Sequence, residues 1–308
     1  MNVVVVGAGA VGGYLGELLR TAGAAITYAP RDLATVQPVH CDLAIVAVKA
    51  YDTPGAVATL QRLGVDGTTI LTVQNGVGNE EQLVAAFGAD AVVAGALTVP
   101  VERDAAGKPA AANDGGIGLA PCGAVPHNWL IAGFEQTKLP VRTYPDYRVM
   151  KWSKLMLNIL ANAQCAIRDV LPAELVALSG AFDLELRALR EGFAVMRARK
   201  QMPIDLPRYP VPTLAAVARF PTLLARPILS SRIANARGEK PPSFLVDVRA
   251  GKHRTEVESL NGAIAAAGRE LGIPAPVNAA FTELLKTVVA DPSTRRAAIE
   301  RLTALAAG

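Results

Sequence analysis

Three polar side chains recur at four-residue steps in an apolar stretch of the sequence: Lys154, Asn158 and Asn162. On a helix, each step of four advances only ~40° around the axis, so the three would form one narrow stripe, with Lys151 on the same flank. Amides and an ammonium group are costly to bury without partners, and a substrate carbonyl or carboxylate would be such a partner. The stripe therefore predicts a substrate site, and a solvated face of an amphipathic helix is the alternative.

A second chemical candidate is Glu256, which follows Thr255. Thr255 and Glu258 have the spacing of a capping box, which predicts that a helix starts here with Glu256 in its first turn. The helix dipole alone favours a glutamate at that position, so a capping role and a functional role both stay open.

A glycine-rich segment, Gly7-Ala8-Gly9-Ala10-Val11-Gly12, lies between a valine-rich strand pattern and a helical pattern. Glycines in this arrangement allow a tight turn and the close approach of a pyrophosphate to a helix N-terminus. Gly7, Gly9, Ala10, Val11 and Gly12 are therefore predicted to bind a dinucleotide. Glycines that serve only helix–strand packing are the alternative.

The second predicted strand is followed by Arg31 and Asp32. A guanidinium group suits the 2′-phosphate of NADP(H), whereas NAD enzymes usually carry an acidic residue near this place. NADPH is the preferred cofactor on this basis. Because Asp32 is adjacent, NADH stays a possible cofactor. A third possibility is that Arg31 is a solvated surface residue that binds no cofactor.

Two further polar features follow predicted strands: Lys49, and the run Gln74-Asn75-Gly76. Ligands of open parallel sheets bind outside the carboxyl ends of the strands, so we expect Lys49 and Asn75 to border the nicotinamide. A solvated loop lysine and an ordinary Asn-Gly turn are the alternatives.

Short β-branched runs that could carry these residues alternate with helical patterns in the first half of the chain, at residues 3–6, 25–28, 43–48, 69–73 and 91–94. This order predicts an α/β domain with a Rossmann-like, doubly wound parallel sheet over residues 1–145. Long patterns typical of helices follow at residues 149–168, 172–200 and 255–271, so residues 146–308 are predicted to form an all-α domain. A proline-rich stretch, residues 202–242, cannot be one uninterrupted helix, and it is either a pocket wall or a packed insertion.

Composition excludes several classes of protein. With 308 residues, 51% hydrophobic and 19% charged residues and a net charge of +4, the chain suits a globular enzyme and gives no argument for a nucleic-acid partner. Three separated cysteines and three scattered histidines predict neither a disulfide framework nor a metal site. No apolar run reaches the ~20 residues of a membrane helix, so we expect a cytoplasmic protein without a membrane partner. A homodimer is left open, because Trp129 and Trp152 could belong to the core or to an interface.

Together these motifs resemble the ketopantoate reductase (2-dehydropantoate 2-reductase) family, over nearly the whole chain and in the same order. The matching features are Gly7, Gly9 and Gly12 with Arg31, Val48-Lys49, Asn75-Gly76, Lys154 with Asn158 and Asn162, Ser243 with Asp247, and Thr255-Glu256 with Asn261-Gly262.

The resemblance implies NADPH-dependent reduction of a small 2-oxo acid, 2-dehydropantoate, to pantoate. It implies that Lys154 is the general acid and that Glu256 binds the substrate hydroxyl and assists the lysine. It also implies that Asn158, Asn162 and Ser243 hold the substrate. The chemistry agrees, because an ammonium can stabilise and protonate the oxygen that gains charge when hydride reaches a 2-oxo carbon.

Two departures from the family pattern keep other functions open. Only eleven residues separate Arg31 from the strand that starts at Leu43, which shortens the segment that would contact the adenine of the cofactor. The proline-rich stretch before Ser243 is also longer than in compact members of the family. A reductase or opine-type dehydrogenase for another 2-oxo acid or an imine is one alternative. A non-catalytic NADP-sensing protein is the other.

Overall fold

The computed structural model describes residues 1–103, 107–111, 114–235 and 240–307. The chain divides into two compact units, Met1–Lys154 with Asp205–Tyr209, and Leu155–Ile204 with Pro210–Gly308. The domain boundary expected after residue 145 stays a prediction. The division between the compact units falls inside a helix, nine residues further along.

The first unit is built on a seven-stranded sheet with strand order β2-β1-β3-β4-β5-β8-β9. Its elements are β1 (Asn2–Val6), α1 (Ala10–Thr21), β2 (Ala25–Tyr28), β3 (Leu43–Val46), α2 (Thr53–Leu63), β4 (Thr69–Thr72), α3 (Asn79–Phe87), β5 (Val92–Leu97), β6 (Val101–Arg103), β7 (Pro109–Ala111), β8 (Ile117–Pro121), α4 (Asn128–Glu135) and β9 (Val141–Thr143). Strands β5 and β8 are antiparallel and the other neighbours in this sheet are parallel. The predicted Rossmann-like sheet is confirmed, with that one antiparallel pair added.

Both faces of the sheet are covered, which explains why its central strands read as continuous apolar runs. Because side chains alternate along a strand, Val5 packs into the cluster that contains Leu15 of α1 and Phe134 of α4. Val6 packs into the opposite cluster with Leu60 of α2. Helices on both faces therefore hold the carboxyl edge of the sheet in place.

The sequence missed the strands β8 and β9. In β8, Gly118 occupies a position where an added Cβ would lie 2.8 Å from Cε2 of Tyr144, so this strand has no room for a β-branched residue there. β3 is also shorter than the predicted 43–48 and ends at Val46, which leaves Lys49 in the following loop. Strand propensity thus found β1 to β5, including β2 at one edge of the sheet, and missed the strands that follow them.

The second unit is helical in its described residues, which confirms the predicted all-α character. Helix α5 (Tyr147–Ile159) begins in the first unit, and the following helices are α6 (Asn162–Arg168), α7 (Pro172–Ala177), α8 (Ala181–Ala198), α9 (Val211–Ala218), α10 (Thr222–Asn235), α11 (Ser243–Arg249), α12 (Asn261–Leu271), α13 (Pro276–Ala290) and α14 (Arg295–Ala307). Phe182, Phe244 and Phe281 are fully buried. Among the described helices, none has the length and apolar character to cross a bilayer.

The proline-rich stretch contributes to both units in separate pieces. Asp205–Tyr209 belongs to the first unit, where the carbonyl oxygens of Asp205 and Pro207 accept hydrogen bonds from the hydroxyls of Tyr144 (2.8 Å) and Thr98 (2.9 Å). The stretch goes on as α9 and α10 in the second unit, and its residues 236–239 lie outside the described ranges. It is therefore in part a packed insertion. Its role as a pocket wall stays a prediction.

The predicted helix over residues 149–168 is wrong, because it is two helices. α5 ends at Ile159 and α6 begins at Asn162, and between them Ala161 adopts φ 56°, in the left-handed region. Asn162 therefore starts a new helix instead of extending the stripe of Lys154 and Asn158. Alanine gives no sign of such a conformation in the sequence, since it is the best helix former.

Two more predicted helices are also interrupted. Residues 172–200 form α7 and α8, separated at Gly180 with φ 71°, and residues 255–271 form a 3-10 helix, Glu256–Ser259, before α12. The expected capping box at this start is not formed by the described side chains: Thr255 makes no capping hydrogen bond, and the Glu258 carboxylate accepts one from Lys286 Nζ (2.8 Å). Residues with high helix propensity occupy these turns, so the sequence pattern predicted one continuous helix where tertiary contacts impose a break.

A buried carboxylate stabilises the break between α5 and α6. Glu185 of α8 accepts hydrogen bonds from the Ala161 backbone N–H and from Gln164 Nε2, both at 2.8 Å. Burial raises the pKa of Glu185 to about 7, although these hydrogen bonds and the nearby Arg168 guanidinium lower it. The folded chain therefore binds this proton more tightly than the unfolded chain does.

This raised pKa predicts a pH-dependent stability. The pKa of Glu185 is about 7 in the folded chain and near its ordinary 4.5 in the unfolded chain. The stabilisation that comes from binding this proton is therefore fully present below the unfolded pKa and is lost as pH rises through about 7. Glu185→Gln, which mimics the protonated side chain, should gain stability relative to wild type between pH 5 and pH 8, on the order of 2–3 kcal/mol. Urea unfolding at both pH values measures the difference.

A matched control is Glu283→Gln, an exposed carboxylate on α13 of the same unit. We expect its unfolding free energy to follow that of the wild type at both pH values. An equal offset of Glu185→Gln from wild type at pH 5 and pH 8 would contradict the assignment.

Candidate active site

The glycine-rich loop after β1 packs closely against the loop after β3. Gly7 has φ 107°, and an added Cβ would lie 2.7 Å from both Ala47 C and Val48 N. An added Cβ on Gly12 would lie 2.1 Å from the Gly7 carbonyl oxygen. Only glycine fits these two positions, which fixes the turn from strand to helix.

Gly9 is different from its neighbours because its free side faces open space. An added Cβ there would meet no heavy atom of the described residues within 4 Å. Gly9 is the N-cap of α1, whose first turn, from Ala10 and Val11 onward, contains no acidic side chain. An uncompensated helix N-terminus beside an open glycine is suited to an anionic group such as a pyrophosphate.

Arg31 and Asp32 follow β2 at the same edge of the sheet. Both side chains are exposed. The Asp32 carboxylate accepts a hydrogen bond from the Ala34 backbone N–H (2.9 Å) and caps the 3-10 helix Leu33–Thr35. Asp32 thus already binds a donor in its own loop.

Lys49 and Asn75 also lie at this edge, because β1, β3 and β4 are parallel neighbours whose carboxyl ends coincide. Lys49 precedes the 3-10 helix Ala50–Asp52 and is half-buried. Asn75 is half-buried in the loop between β4 and α3. The structure therefore places Gly7, Lys49 and Asn75 at the carboxyl edge of the sheet, and their role at the nicotinamide stays a prediction.

A buried polar network holds the loop that contains Asn75. The Gln74 amide donates to Thr53 Oγ1 (2.9 Å) and accepts from Thr72 Oγ1 (3.0 Å). Asn79 Nδ2 donates to the Asn75 carbonyl oxygen (3.0 Å). These contacts fix the backbone on both sides of the Asn75 side chain.

An ion pair lies beneath the same loop. Lys151 Nζ is 2.8 Å from Glu80 Oε1 and donates to the Gln74 carbonyl oxygen at 2.6 Å, and the side chains are 3% and 1% exposed. Burial raises the pKa of Glu80, and the Lys151 ammonium lowers it. The sequence placed Lys151 only on the flank of the stripe and gave no sign of Glu80, Thr53 or Asn79, since polar residues in a first helical turn are ordinarily solvated.

Lys154 lies on α5, one turn after Lys151. It is half-buried, whereas the residues on either side of it, Ser153 and Leu155, are fully buried. The Lys154 residue is thus partly shielded from water and partly exposed. This is the setting in which a lysine can act as an acid on a bound substrate.

Three of the predicted substrate-binding residues meet in the second unit. Asn162 Nδ2 donates to the Asn158 carbonyl oxygen (3.1 Å) and to Ser243 Oγ (3.2 Å), and Asn162 Oδ1 accepts from the Phe244 backbone N–H (2.9 Å). Asn162 thus holds the N-terminus of α11, which begins at Ser243. The structure brings these three residues together although they come from three helices.

Glu256 lies at the start of the 3-10 helix Glu256–Ser259 and is 4% exposed. Asp247, four residues after Ser243, forms an ion pair with Lys252 (2.6 Å). A carboxylate as buried as Glu256 is unusual for a capping residue, which favours the functional reading over the helix-dipole reading.

Comparison with known proteins gives one family for both parts of the chain. The family model described as ketopantoate reductase PanE/ApbA matches residues 28–122, and the model for the C-terminal part of the same family matches residues 146–289. A 2-dehydropantoate 2-reductase from Halobacterium salinarum is 28% identical over 94% of this chain and 100% of its own length.

Solved structures agree. A PanE/ApbA family ketopantoate reductase from Ralstonia eutropha JMP134 is 27% identical with a TM-score of 0.77, over 96% of this chain and all of that one. D-mandelate dehydrogenase, solved in complex with NADH, is 21% identical with a TM-score of 0.76, over 94% of this chain and 99% of that one, and it shows a shared fold. The chain belongs to the ketopantoate reductase family, a family of oxidoreductases.

Proposed function

We propose that this chain reduces 2-dehydropantoate to pantoate with NADPH, and that Lys154 is the general acid. The observation that carries the proposal is the position of Lys154, half-buried between fully buried neighbours on a helix that lies within the matched family region. The names of the similar proteins support the substrate.

The residues after β1 and β2 fit NADPH. Gly9 and the N-terminus of α1 would bind the pyrophosphate, because the glycine leaves space and the Gly9 N-cap provides no capping side chain. Arg31 would bind the 2′-phosphate, while Asp32 caps its own loop and is less suited to bind a ribose. When bound, NADPH supplies the hydride that adds to the 2-oxo carbon. Lys49 and Asn75 would border the nicotinamide.

Lys154 would donate the proton that the product hydroxyl requires. As the carbonyl carbon is reduced, its oxygen gains negative charge, and a lysine ammonium is the charged form at neutral pH. A hydrogen bond from Nζ stabilises that oxygen and then transfers the proton to it. The carbonyl thereby becomes an alcohol and Lys154 becomes neutral until solvent protonates it again.

The remaining predicted substrate-binding residues also have proposed roles. We assign the substrate hydroxyl to Glu256, and its other polar groups to Asn158, Asn162 and Ser243. Asn162 also keeps Ser243 in place, since Nδ2 donates to Ser243 Oγ. A homodimer and a cytoplasmic location stay predictions of the sequence.

Substitution of Lys154 tests the assignment of the acid. Lys154→Ala should lower kcat for ketopantoate by about 10²–10⁴-fold, because the proton donor is lost, and leave NADPH affinity within about twofold. NADPH oxidation at 340 nm gives kcat, and fluorescence titration gives the affinity. Lys138→Ala, an exposed lysine of the first unit, is the control.

One outcome would reject the proposed reaction, and a substrate panel would then identify the alternative. Wild-type turnover no faster than Lys154→Ala rejects reduction of ketopantoate. A panel of other 2-oxo acids, including the oxo acid of mandelate, and of imines then separates a reductase of different specificity from a protein that binds NADPH without turnover.

The two glycines of the loop after β1 should respond differently to alanine. Gly9→Ala adds a methyl group on the open side and should weaken NADPH binding about tenfold or more with little change in stability. Gly12→Ala forces a contact with the Gly7 carbonyl oxygen and should cost about 1–3 kcal/mol of stability. Thermal unfolding and NADPH titration of both variants distinguish the two effects, and equal loss of stability in both would contradict the open approach at Gly9.

Arg31 should determine the choice between NADPH and NADH. Arg31→Ala should reduce the ratio of kcat/KM for NADPH over NADH by about 10–100-fold, because the charge-assisted contact with the 2′-phosphate is lost. Arg62→Ala, an exposed arginine on α2, should leave the ratio unchanged. A wild-type enzyme that prefers NADH, or a ratio insensitive to Arg31→Ala, overturns this part of the proposal.

A further inference from the structure

The buried ion pair of Lys151 and Glu80 has no role in the chemistry described above. Both side chains are almost fully buried, and their charged atoms are 2.8 Å apart. Taking two charges out of water costs several kcal/mol per ion, and an apolar pair of similar volume is often as stable or more stable. Fold stability alone therefore does not explain why charges occupy this position.

The Lys151 ammonium contacts three separate elements of the first unit. It donates to the carbonyl oxygen of Gln74 after β4 (2.6 Å) and to that of Gly95 in β5 (3.4 Å), and it pairs with Glu80 of α3. An ammonium can make these contacts together because it has three N–H donors. An apolar side chain could not hold either carbonyl group.

One of these carbonyl groups belongs to the peptide bond that leads into Asn75. Lys151 therefore fixes the peptide unit before Asn75, and Asn79, next to Glu80 on α3, fixes the peptide unit after it. The orientation of the Asn75 side chain depends on both. Lys151 also lies three residues before Lys154 on α5, a rise of about 4.5 Å along the helix axis.

We propose that Lys151 and Glu80 are a positioning pair that fixes Lys154 relative to the Asn75 loop. The inference rests on the proposed function, in which Lys154 is the acid and Asn75 borders the nicotinamide. The Lys151 ammonium contacts the Asn75 loop, and Lys151 belongs to the turn of α5 that precedes Lys154. A displacement of about 1 Å between reacting groups can lower a rate about 10²-fold, so such a link has a catalytic effect without contact with substrate.

The chain offers a matched control on the same two helices. Arg148 of α5 lies 3.9 Å from Glu81 of α3, and both side chains are about half exposed. Glu81 also accepts a hydrogen bond from the Tyr147 hydroxyl (3.2 Å). This pair connects α5 to α3 without any contact to the carbonyl group of Gln74.

Removal of both charges of the buried pair is the main test. In Lys151→Met/Glu80→Leu no charge is left unpaired, so the variant should fold, with an unfolding temperature below that of the wild type because the Gln74 and Gly95 carbonyl oxygens lose their donor. We expect kcat for ketopantoate to fall about 10–100-fold with KM for ketopantoate within about twofold. Arg148→Gln/Glu81→Gln should keep both constants. A folded double variant with wild-type kcat overturns the proposal.

A second measurement needs no turnover. NADPH and 2′-phospho-ADP-ribose differ only at the terminal ribose, which carries the dihydronicotinamide ring in NADPH and a hydroxyl group in the other compound, so the affinity for NADPH divided by the affinity for 2′-phospho-ADP-ribose reports contacts of the nicotinamide ring. The double variant should lower this ratio about tenfold while 2′-phospho-ADP-ribose binds as to the wild type. An unchanged ratio overturns the proposal, even in a protein that fails to reduce ketopantoate, and that failure would reject only the proposed function.

Lys151→Arg serves if the double variant does not fold. Arginine keeps the positive charge opposite Glu80 but moves the donor atoms, and its planar group cannot reproduce the ammonium contacts. A folded Lys151→Arg should show lower kcat and a lower affinity ratio than the wild type. Wild-type values of both in this variant overturn the proposal.

Discussion

The backbone contact between Gly7 and residues 47–48 is the constraint on which the first unit depends. An added Cβ at Gly7 would be 2.7 Å from this neighbouring backbone, so the loops after β1 and β3 can meet only because one of them contains glycine. Since β4 pairs with β3, the same edge also includes the loop with Asn75. The residues of two distant motifs that we propose to bind the cofactor are thus brought together by one steric requirement.

Buried polar side chains next to the proposed site residues of both units form hydrogen bonds inside the protein, which offsets the cost of removing them from water. In the first unit, Gln74 and Lys151 satisfy carbonyl and hydroxyl groups around the Asn75 loop. In the second unit, Glu185 satisfies the backbone at Ala161, and Asn162 satisfies the start of α11. Each network fixes backbone next to a proposed site residue, which is how desolvated polar groups contribute precision as well as stability.

The sequence predicted the central strands, the glycine loop and the family because these depend on local chemistry. A valine run buried on both faces and a glycine that no other residue can replace are visible in the residue types. The breaks at Ala161 and Leu260 were not predictable in this way, because alanine and leucine normally extend helices and only contacts from elsewhere in the fold impose these conformations. The burial of Glu80 was hidden for a similar reason, since its partner lies seventy-one positions away in the chain.

The path of the chain limits how this architecture could be divided or recombined. The short piece from Asp205 to Tyr209 supplies carbonyl acceptors for Tyr144 and Thr98, although it is flanked on both sides by the helical unit. A gene fragment that stops after Lys154 would encode the sheet without these acceptors. A fragment that starts after Lys154 would encode the acceptors without the Tyr144 and Thr98 hydroxyls that they bind. Recombination that exchanges either unit between relatives as one gene segment is therefore disfavoured. We expect the two units to have evolved together in the same chain.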